Sequence, residues 1–395
     1  MEKRSLRIKD CMIVGLILCL VSLLSACNMT IKVTGTGKTV TGMESELIFK
    51  ETIPGVIVEE ITISSIGDVL LHEPVYVDAW TGSTFNFSPM LEKVEAYLSE
   101  ATITTANQES MIGGVELGLS TYPAFNSPKE IGNALKDAGV DVVMLANNHT
   151  LDRGEKAIQQ AINHWENLDM MYVGAYKDEA DRKKVRVIET DEGISVAFLN
   201  YTYGTNGIPV PEDKPYLVNL IDQEQMAEDI AEAEAEADII VLNLHFGNEY
   251  ERMPNEEQKE LVQFAADHGV HAVIGHHPHV LQPAAWVEGK DGNETLVIYS
   301  LGNFLSNQQG LYKRIGGMFT FTVTKTTYKE KESIEIHSPT LLPTYVTFHE
   351  DFEDYEVVPM YSLTNKELKE ADRHYEEIKM HMSQWMPELR FIEEK

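Results

Sequence analysis

His271-Ala272-Val273-Ile274-Gly275-His276-His277-Pro278-His279 is an apolar run that ends in a glycine and then three histidines within four positions. The glycine permits a sharp turn, and the imidazoles that follow are nitrogen ligands placed at a strand end. The same construction recurs along the chain. Ile61–Ile66 runs into Gly67-Asp68, Thr102–Thr105 into Ala106-Asn107-Gln108-Glu109, Val140–Leu145 into Ala146-Asn147-Asn148-His149, and Asp238–Leu244 into His245. Taken singly, each has an ordinary explanation: a Gly-Asp turn, a surface glutamate, a satisfied Asn-His turn pair, a core histidine. Their shared position is what unites them, because open α/β sheets bind ligands beyond the carboxyl ends of their strands. Five segments can therefore converge on one site.

The rest of the body supports that architecture. Further strand-like runs are Val56–Ile66, Met170–Val173, Val185–Ile188, Ile194–Tyr201 and Thr295–Ser300, each rich in Val, Ile or Leu. They alternate with helix-like stretches at Pro89–Glu100, Pro128–Ala138, Glu155–Asn167, Gln223–Ala237 and Asn255–His268. Ser127, with Glu130 three residues on, reads as a capping signal for the second of these. The alternation predicts an α/β domain with buried strands. After Gly317, Met318–Thr327 and Ser333–Ile336 read as an antiparallel edge joined by the charged turn Tyr328–Glu332, and Thr364–Met382 as one outer helix.

Bulk properties narrow the chemistry. The 395-residue chain carries a net charge of −31, which repels a nucleic-acid backbone at long range and disfavours nucleic acid as a partner, so none is expected. Its three cysteines, Cys11, Cys19 and Cys27, all precede the body. A disulfide framework or thiolate metal site in the body is thereby excluded. The remaining set of Asp, Glu, Asn and His suits one or two divalent cations, Mn, Fe or Zn. A carboxylate shared between two cations would suit a dinuclear centre.

At the amino terminus, Lys3, Arg4, Arg7 and Lys9 precede an apolar run from Cys11 to Ala26, which closes as Leu24-Ser25-Ala26-Cys27. At about 16 residues the run is short of the roughly 20 that span a bilayer. It reads as a lipoprotein signal over 1–26 with Cys27 as the acylated residue; the alternative is an uncleaved anchor. Both place the body on the extracytoplasmic face of the cell membrane. Residues 27–55 read as a tether, or else as a first edge hairpin. The domain proper is expected over 56–345, with a helical extension over 346–395.

The segments Ile66–His72, Ala106–Glu109, Asn147–Gly154, His245–Tyr250, Gly275–Val280 and Tyr299–Phe304, in this order, resemble the bacterial CapA, or poly-γ-glutamate capsule synthesis (PGA_cap), family, within the calcineurin-like metallophosphatase superfamily. The resemblance implies a sandwich of two mixed β-sheets flanked by helices. It also implies roles. Asp68, Glu109, Asn148, His245, His277 and His279 would hold metal, with Glu109 in the bridging position. His149 would be the general acid and Asp152 its orienting partner. His72, Asn107, His276 and Glu249 are additional candidates, and His276 and His277 compete for one role. Leu70 stands where the superfamily usually has a histidine, so one shell is expected to be incomplete unless His72 substitutes. The functional expectation is a surface-anchored protein of capsule polymer synthesis or export, beside membrane proteins of that assembly, with a metal-dependent phosphoesterase-type site. The alternatives are a non-catalytic scaffold of a capsule or wall assembly and a surface phosphodiesterase or nucleotidase unrelated to capsule.

Overall fold

The computed structural model describes residues 55–394. The expected signal over 1–26, Cys27 and the tether up to residue 54 lie outside the described residues. Among the described residues no helix is long and apolar enough to cross a membrane.

In chain order the strands are β1 (Val56–Leu70), β2 (Ile103–Gln108), β3 (Val142–Met144), β4 (Met171–Val173), β5 (Arg186–Glu189), β6 (Ser195–Thr202), β7 (Ile239–His245), β8 (Ala272–His276), β9 (Leu281–Glu288), β10 (Glu294–Leu301), β11 (Asn303–Ser306), β12 (Ile315–Tyr328), β13 (Lys331–Thr347), β14 (Glu356–Pro359) and β15 (Arg390–Phe391). The longer helices are α1 (Glu130–Asp137), α2 (Gly154–Asn167), α3 (Gln223–Glu236), α4 (Glu256–Asp267) and α5 (Ala371–Met382). One sheet runs β14-β13-β12-β1-β2-β3-β4, with β11 paired to β1 and β15 to β13; the other runs β5-β6-β7-β8-β10-β9. Both are mixed: β1 to β4 are parallel neighbours and so are β6, β7, β8 and β10, while β12, β13, β5 and β9 pair antiparallel.

Three apolar layers hold this sandwich. Ile61, Ile63, Ile103 and Val142 of the first sheet meet Phe198, Val241, Ile274 and Ile298 of the second in the central layer. α1 and α2 cover the outer face of the first sheet through Ile131, Leu135, Ile158 and Ile162. α3 and α4 cover the second through Met226, Ile230, Leu261 and Val262. Strand periodicity sets which side chain joins which layer: on β7, Ile239 and Val241 point to the central layer and Ile240, Leu242 and Leu244 to the helices. His245 continues the odd-numbered series and so arrives on the inner face.

Several local expectations are corrected. Pro89–Glu100 is two short helices, Ser88–Leu91 and Glu95–Leu98. Ser127 does not cap α1: that helix follows Lys129 with no side-chain cap, and the Ser127 hydroxyl instead donates to Ser110 Oγ at 2.9 Å. α5 begins only at Ala371, because Thr364 and Asn365 divert their polar groups locally, to Glu367 Oε2 and the Glu370 amide, and Glu370 takes a left-handed backbone with φ 60°. Nor does the stretch 346–395 read as purely helical. It supplies β14 and β15 to the first sheet, and Ala371, Tyr375, Ile378 and Met382 of α5 enter the central layer. The strand β9 had no counterpart in the sequence pattern. Pro283 sits within it, which is tolerated because β9 is an edge strand.

Candidate metal centre

The parallel strands of both sheets end at one rim of the sandwich, and their last residues build the site. β1 brings Asp68, at a point where its register slips against both β2 and β11. A bulge of this kind re-aims a side chain. Gly67 allows the close approach behind it: a Cβ there would lie 2.1 Å from the Gly302 carbonyl oxygen, to which the Asp68 amide donates at 2.8 Å. β2 brings Asn107, whose Nδ2 donates to Asp68 Oδ1 at 2.8 Å, and then Glu109, whose amide donates to the Val69 carbonyl at 3.1 Å.

The turn after β3 is self-bracing. Asn147 Oδ1 accepts from the His149 amide at 3.0 Å, and the Asn147 amide donates to Thr150 Oγ1 at 2.9 Å. This fixes Asn148 and His149 toward the rim. Across the sandwich, His245 lies in register with His276 of β8. The residues beyond β8 turn back sharply, with His277 at φ 98° and His279 at φ 57°. Left-handed backbone at residues other than glycine costs about 1–3 kcal/mol each and is retained where surrounding structure imposes it. Here the Tyr250 amide donates to the Pro278 carbonyl at 2.7 Å and braces the turn.

These segments bring the candidate ligands together. Ligand atoms of Asp68, Glu109 and His279 lie within 4.8 Å of one another, as do those of Glu109, His245 and His277, and those of Glu249, His277 and His279. Glu109 belongs to two of these groups. Asn148 Oδ1 lies 2.9 Å from His245 Nε2, and Asn107 Nδ2 lies 3.4 Å from His245 Nδ1. His276 is in none of the groups, although its Nδ1 is 3.5 Å from Asp68 Oδ1. His72 also stands apart: its ring packs edge-on against Phe125 at 5.2 Å and its Nδ1 lies 3.1 Å from the Leu70 carbonyl. His149 flanks the cluster with Nδ1 2.7 Å from Asp152 Oδ2, and Asp152 also accepts from the Phe125 amide at 2.7 Å.

The electrostatics are those of a site built for positive charge. Burial pushes Glu109 well above the usual carboxylate range, with the nearby Asp68 and Glu249 adding to the effect and His279 opposing it. Burial acts on Asp68 in the same sense, but the imidazoles of His276 and His279 outweigh it and hold the group well below its ordinary value. His279 is the counterpart: burial would lower it, yet Glu109 and Asp68 raise it to about 9. Burial and the charge of His279 bring His277 down to about 3, and burial with His277 keeps His245 well below its usual value. Those two imidazoles are therefore neutral at pH 7, the form that binds a metal.

Hydrogen-bond satisfaction tests the fit of a cation. Both carboxylate oxygens of Glu109, both nitrogens of His276 and Nδ1 of His277 are buried without a hydrogen-bond partner. Each orphaned polar group costs about 1–3 kcal/mol, and more when charged. A divalent cation in the groups that Glu109 shares with His245, His277 and His279 would satisfy the glutamate oxygens, though not both nitrogens of His276, so the donor set fits such an ion. Concavity alone would direct attention elsewhere, to a cavity of about 580 Å³ lined by Arg182, Tyr201, Tyr216, Asn219 and Asp229. Its buried charge is internally matched, since Arg182 pairs with Asp229, which also accepts from Tyr201 and Gln225.

Residues with no role in the sequence reading complete the rim. Tyr203 packs on His277 with ring centroids 4.7 Å apart, and Asn206 accepts from Asn148 Nδ2 at 3.2 Å. Both follow β6, another strand that ends at this rim, but its end carries no acid or histidine and so gave no signal. Phe125, between His72 and His149, comes from a loop without periodicity.

Residues 62–308 match the family described as bacterial capsule synthesis protein, PGA_cap. The chain is 32% identical over 218 residues to the PGA biosynthesis protein CapA of Bacillus subtilis (strain 168), covering 54% of this chain and 56% of that protein. It is 29% identical over 262 residues to the capsule biosynthesis protein CapA of Bacillus anthracis, covering 63% of this chain and 61% of that protein. The chain thus spans less than two thirds of the length of these relatives. Among solved structures, a Staphylococcus aureus protein described as a 5'-nucleotidase in complex with alpha-ketoglutarate aligns at 16% identity and a TM-score of 0.40, over 80% of this chain and 58% of that one. With its matched span covering more than half of the sequence and the site residues falling inside it, this chain belongs to the bacterial capsule synthesis family PGA_cap.

Proposed function

We propose that this chain carries a divalent-cation-dependent phosphoester hydrolase site and acts in synthesis or export of a capsule polymer of the poly-γ-glutamate type. The observation that carries the chemistry is Glu109, a fully buried carboxylate with no hydrogen bond to either oxygen, shared by two groups of candidate ligands. Asp68 and His279 would hold one cation with it, and His245 and His277, with Asn148 beside His245, would hold a second. Bound cations would polarise a phosphoryl oxygen and make hydroxide available near neutral pH.

The chain's own residues supply the rest. Asp152 holds His149 by Nδ1 and fixes its ring, leaving Nε2 as the atom that delivers a proton to the leaving-group oxygen. Asn107 keeps Asp68 turned toward the site. Phe125, edge-on to His149 at 4.7 Å, limits water on that side. The names of the two Bacillus relatives support the capsule assignment. The partners would be membrane proteins of the polymer assembly, with the body held at the extracytoplasmic face through lipid on Cys27. Replacing Cys27 by Ser should leave an unacylated precursor; lipid labelling equal to the parent would refute the anchor.

A second reading, a scaffold without catalysis, draws on Leu70, which puts a buried alkyl side chain two residues after Asp68 where an imidazole is usual in the superfamily. Titration of the purified protein with Mn²⁺, Zn²⁺ and Fe²⁺, alongside hydrolysis of p-nitrophenyl phosphate and its bis-ester, separates the two. Turnover abolished by chelation is expected. Absence of metal binding at micromolar concentration would reject the enzyme reading in favour of the scaffold.

A further inference from the structure

The segment Tyr299–Phe304 enters the site as described only through the Gly302 carbonyl behind Asp68, yet its Asn303 side chain also abuts the centre. Asn303 is fully buried and lies in register with Asp68. Its Nδ2 donates to the Lys313 carbonyl at 2.8 Å and lies 3.4 Å from the His279 carbonyl. One amide thus ties the short helical turn Leu311–Arg314 to the histidine turn of the metal centre. From that turn the Lys313 ammonium sits over the ring of Tyr250, 4.6 Å from its centroid. The Tyr250 ring is in turn 6.2 Å from that of His279, and Tyr250 is 47% exposed. Lys313 therefore stands two short steps from the candidate ligands, at the mouth of the site.

Other cationic side chains from the segments that border the site are committed elsewhere. Arg314 lies over Tyr345 and Phe348 and donates to the Val346 carbonyl. Arg252 pairs with Glu377 over the Tyr312 ring. Arg153 donates to the Leu117 and Gly118 carbonyls and to Ser120. Lys313 has no carboxylate within ion-pair distance among the described residues. In a chain of net charge −31, an ammonium without an ion-pair partner at the edge of the site is available to an anion. The aromatic face beneath it holds the charge in place while leaving its outer hemisphere free.

We infer that Lys313, seated on Tyr250 and positioned by Asn303, is the anion-recognising residue of this site, and that its substrate is a phosphoester bearing a second anionic group, carboxylate or phosphate, near the reacting phosphorus. The inference rests on the phosphoester reading above. Lys313 contributes to binding and not to bond breaking, so its effect falls on affinity.

Calorimetry on the Mn²⁺-loaded protein tests this with two non-hydrolysable probes, phenylphosphonate and 4-phosphonobenzoate, which differ by one carboxylate. The parent should bind 4-phosphonobenzoate about fivefold more tightly, the upper range for a half-exposed ion pair. Lys313→Met should bind phenylphosphonate as the parent does but lose the preference, and Lys313→Arg should keep it. A parent with no preference, or a Lys313→Met protein that retains it, overturns the inference while leaving the phosphoester reading intact. Failure of the parent to bind phenylphosphonate at all refutes the phosphoester reading, and this inference with it.

Discussion

Replacing Glu109 by Gln separates the expense of burying a carboxylate from what that carboxylate does when a cation arrives. Without metal, burial raises the folded pKa of Glu109 well above its ordinary 4.5. A raised folded pKa means the group's stabilising contribution is complete below about 4.5 and is lost as pH climbs toward the folded value. At neutral pH the parent therefore carries a penalty that glutamine, nearly isosteric and neutral, lacks. Metal-free Glu109→Gln should melt at or above the parent, and the gap should widen as pH rises from 4.5 toward the folded pKa. With metal the order reverses. A cation at 100 times its dissociation constant stabilises the native state by about 2.7 kcal/mol. Unfolding a body of about 340 residues releases about 0.7 kcal/mol per kelvin of entropy at the midpoint, so the parent's Tm should rise by about 4 °C. Differential scanning calorimetry with and without Mn²⁺ reads both effects. The variant should show almost no metal-induced shift. A full shift in Glu109→Gln, or a metal-free variant several degrees less stable than the parent, would refute the reasoning.

Three further outcomes follow from the site. His149→Ala should lower kcat by about 10²–10⁴-fold while leaving metal content unchanged, since a general acid speeds proton transfer without holding the ion; loss of metal in parallel with activity would reassign His149 as a ligand. Cation affinity should fall as pH drops below about 9, because the proton that Glu109 and Asp68 hold on His279 must leave before its nitrogen can bind. Calorimetry at pH 7 in buffers of different ionisation enthalpy should register release of about one proton or more, and zero release would contradict the assignment. Gly67→Ala should destabilise the fold by about 1–3 kcal/mol and weaken cation binding, because its Cβ would meet the Gly302 oxygen at 2.1 Å and displace Asp68; unchanged urea midpoints would show that the strand yields without strain.

The site was legible to the extent that it is written at strand ends. Asp68, Glu109, Asn148, His245, His277 and His279 each follow an apolar run, and period-two alternation carries His245 to the inner face. Sequence left His276 and His277 in competition for one role; in the fold, the left-handed turn at His277 swings its ring into two candidate ligand groups and leaves His276 beside Asp68. The rim residues were not legible. Tyr203 and Asn206 sit in a loop and Lys313 in a short helical turn, none with a readable period, and only the fold brings residues so distant in sequence together. In the fold, Pro283 concealed an edge strand, and Thr364 and Asn365 replaced the first turns of an expected helix with local hydrogen bonds. The long hairpin between β12 and β13 was foreshadowed by its charged turn, where Lys329 and Glu330 both take positive φ, the conformation that a two-residue hairpin turn requires.

The central claim is that Glu109 joins two cation positions. Anomalous diffraction from crystals of the protein grown with Mn²⁺ tests it most directly. The account expects two anomalous peaks about 3.5–4 Å apart, bracketing the Glu109 carboxylate, one shared with Asp68 and His279 and the other with His245 and His277. The absence of any anomalous peak within coordination distance of Glu109 would contradict it.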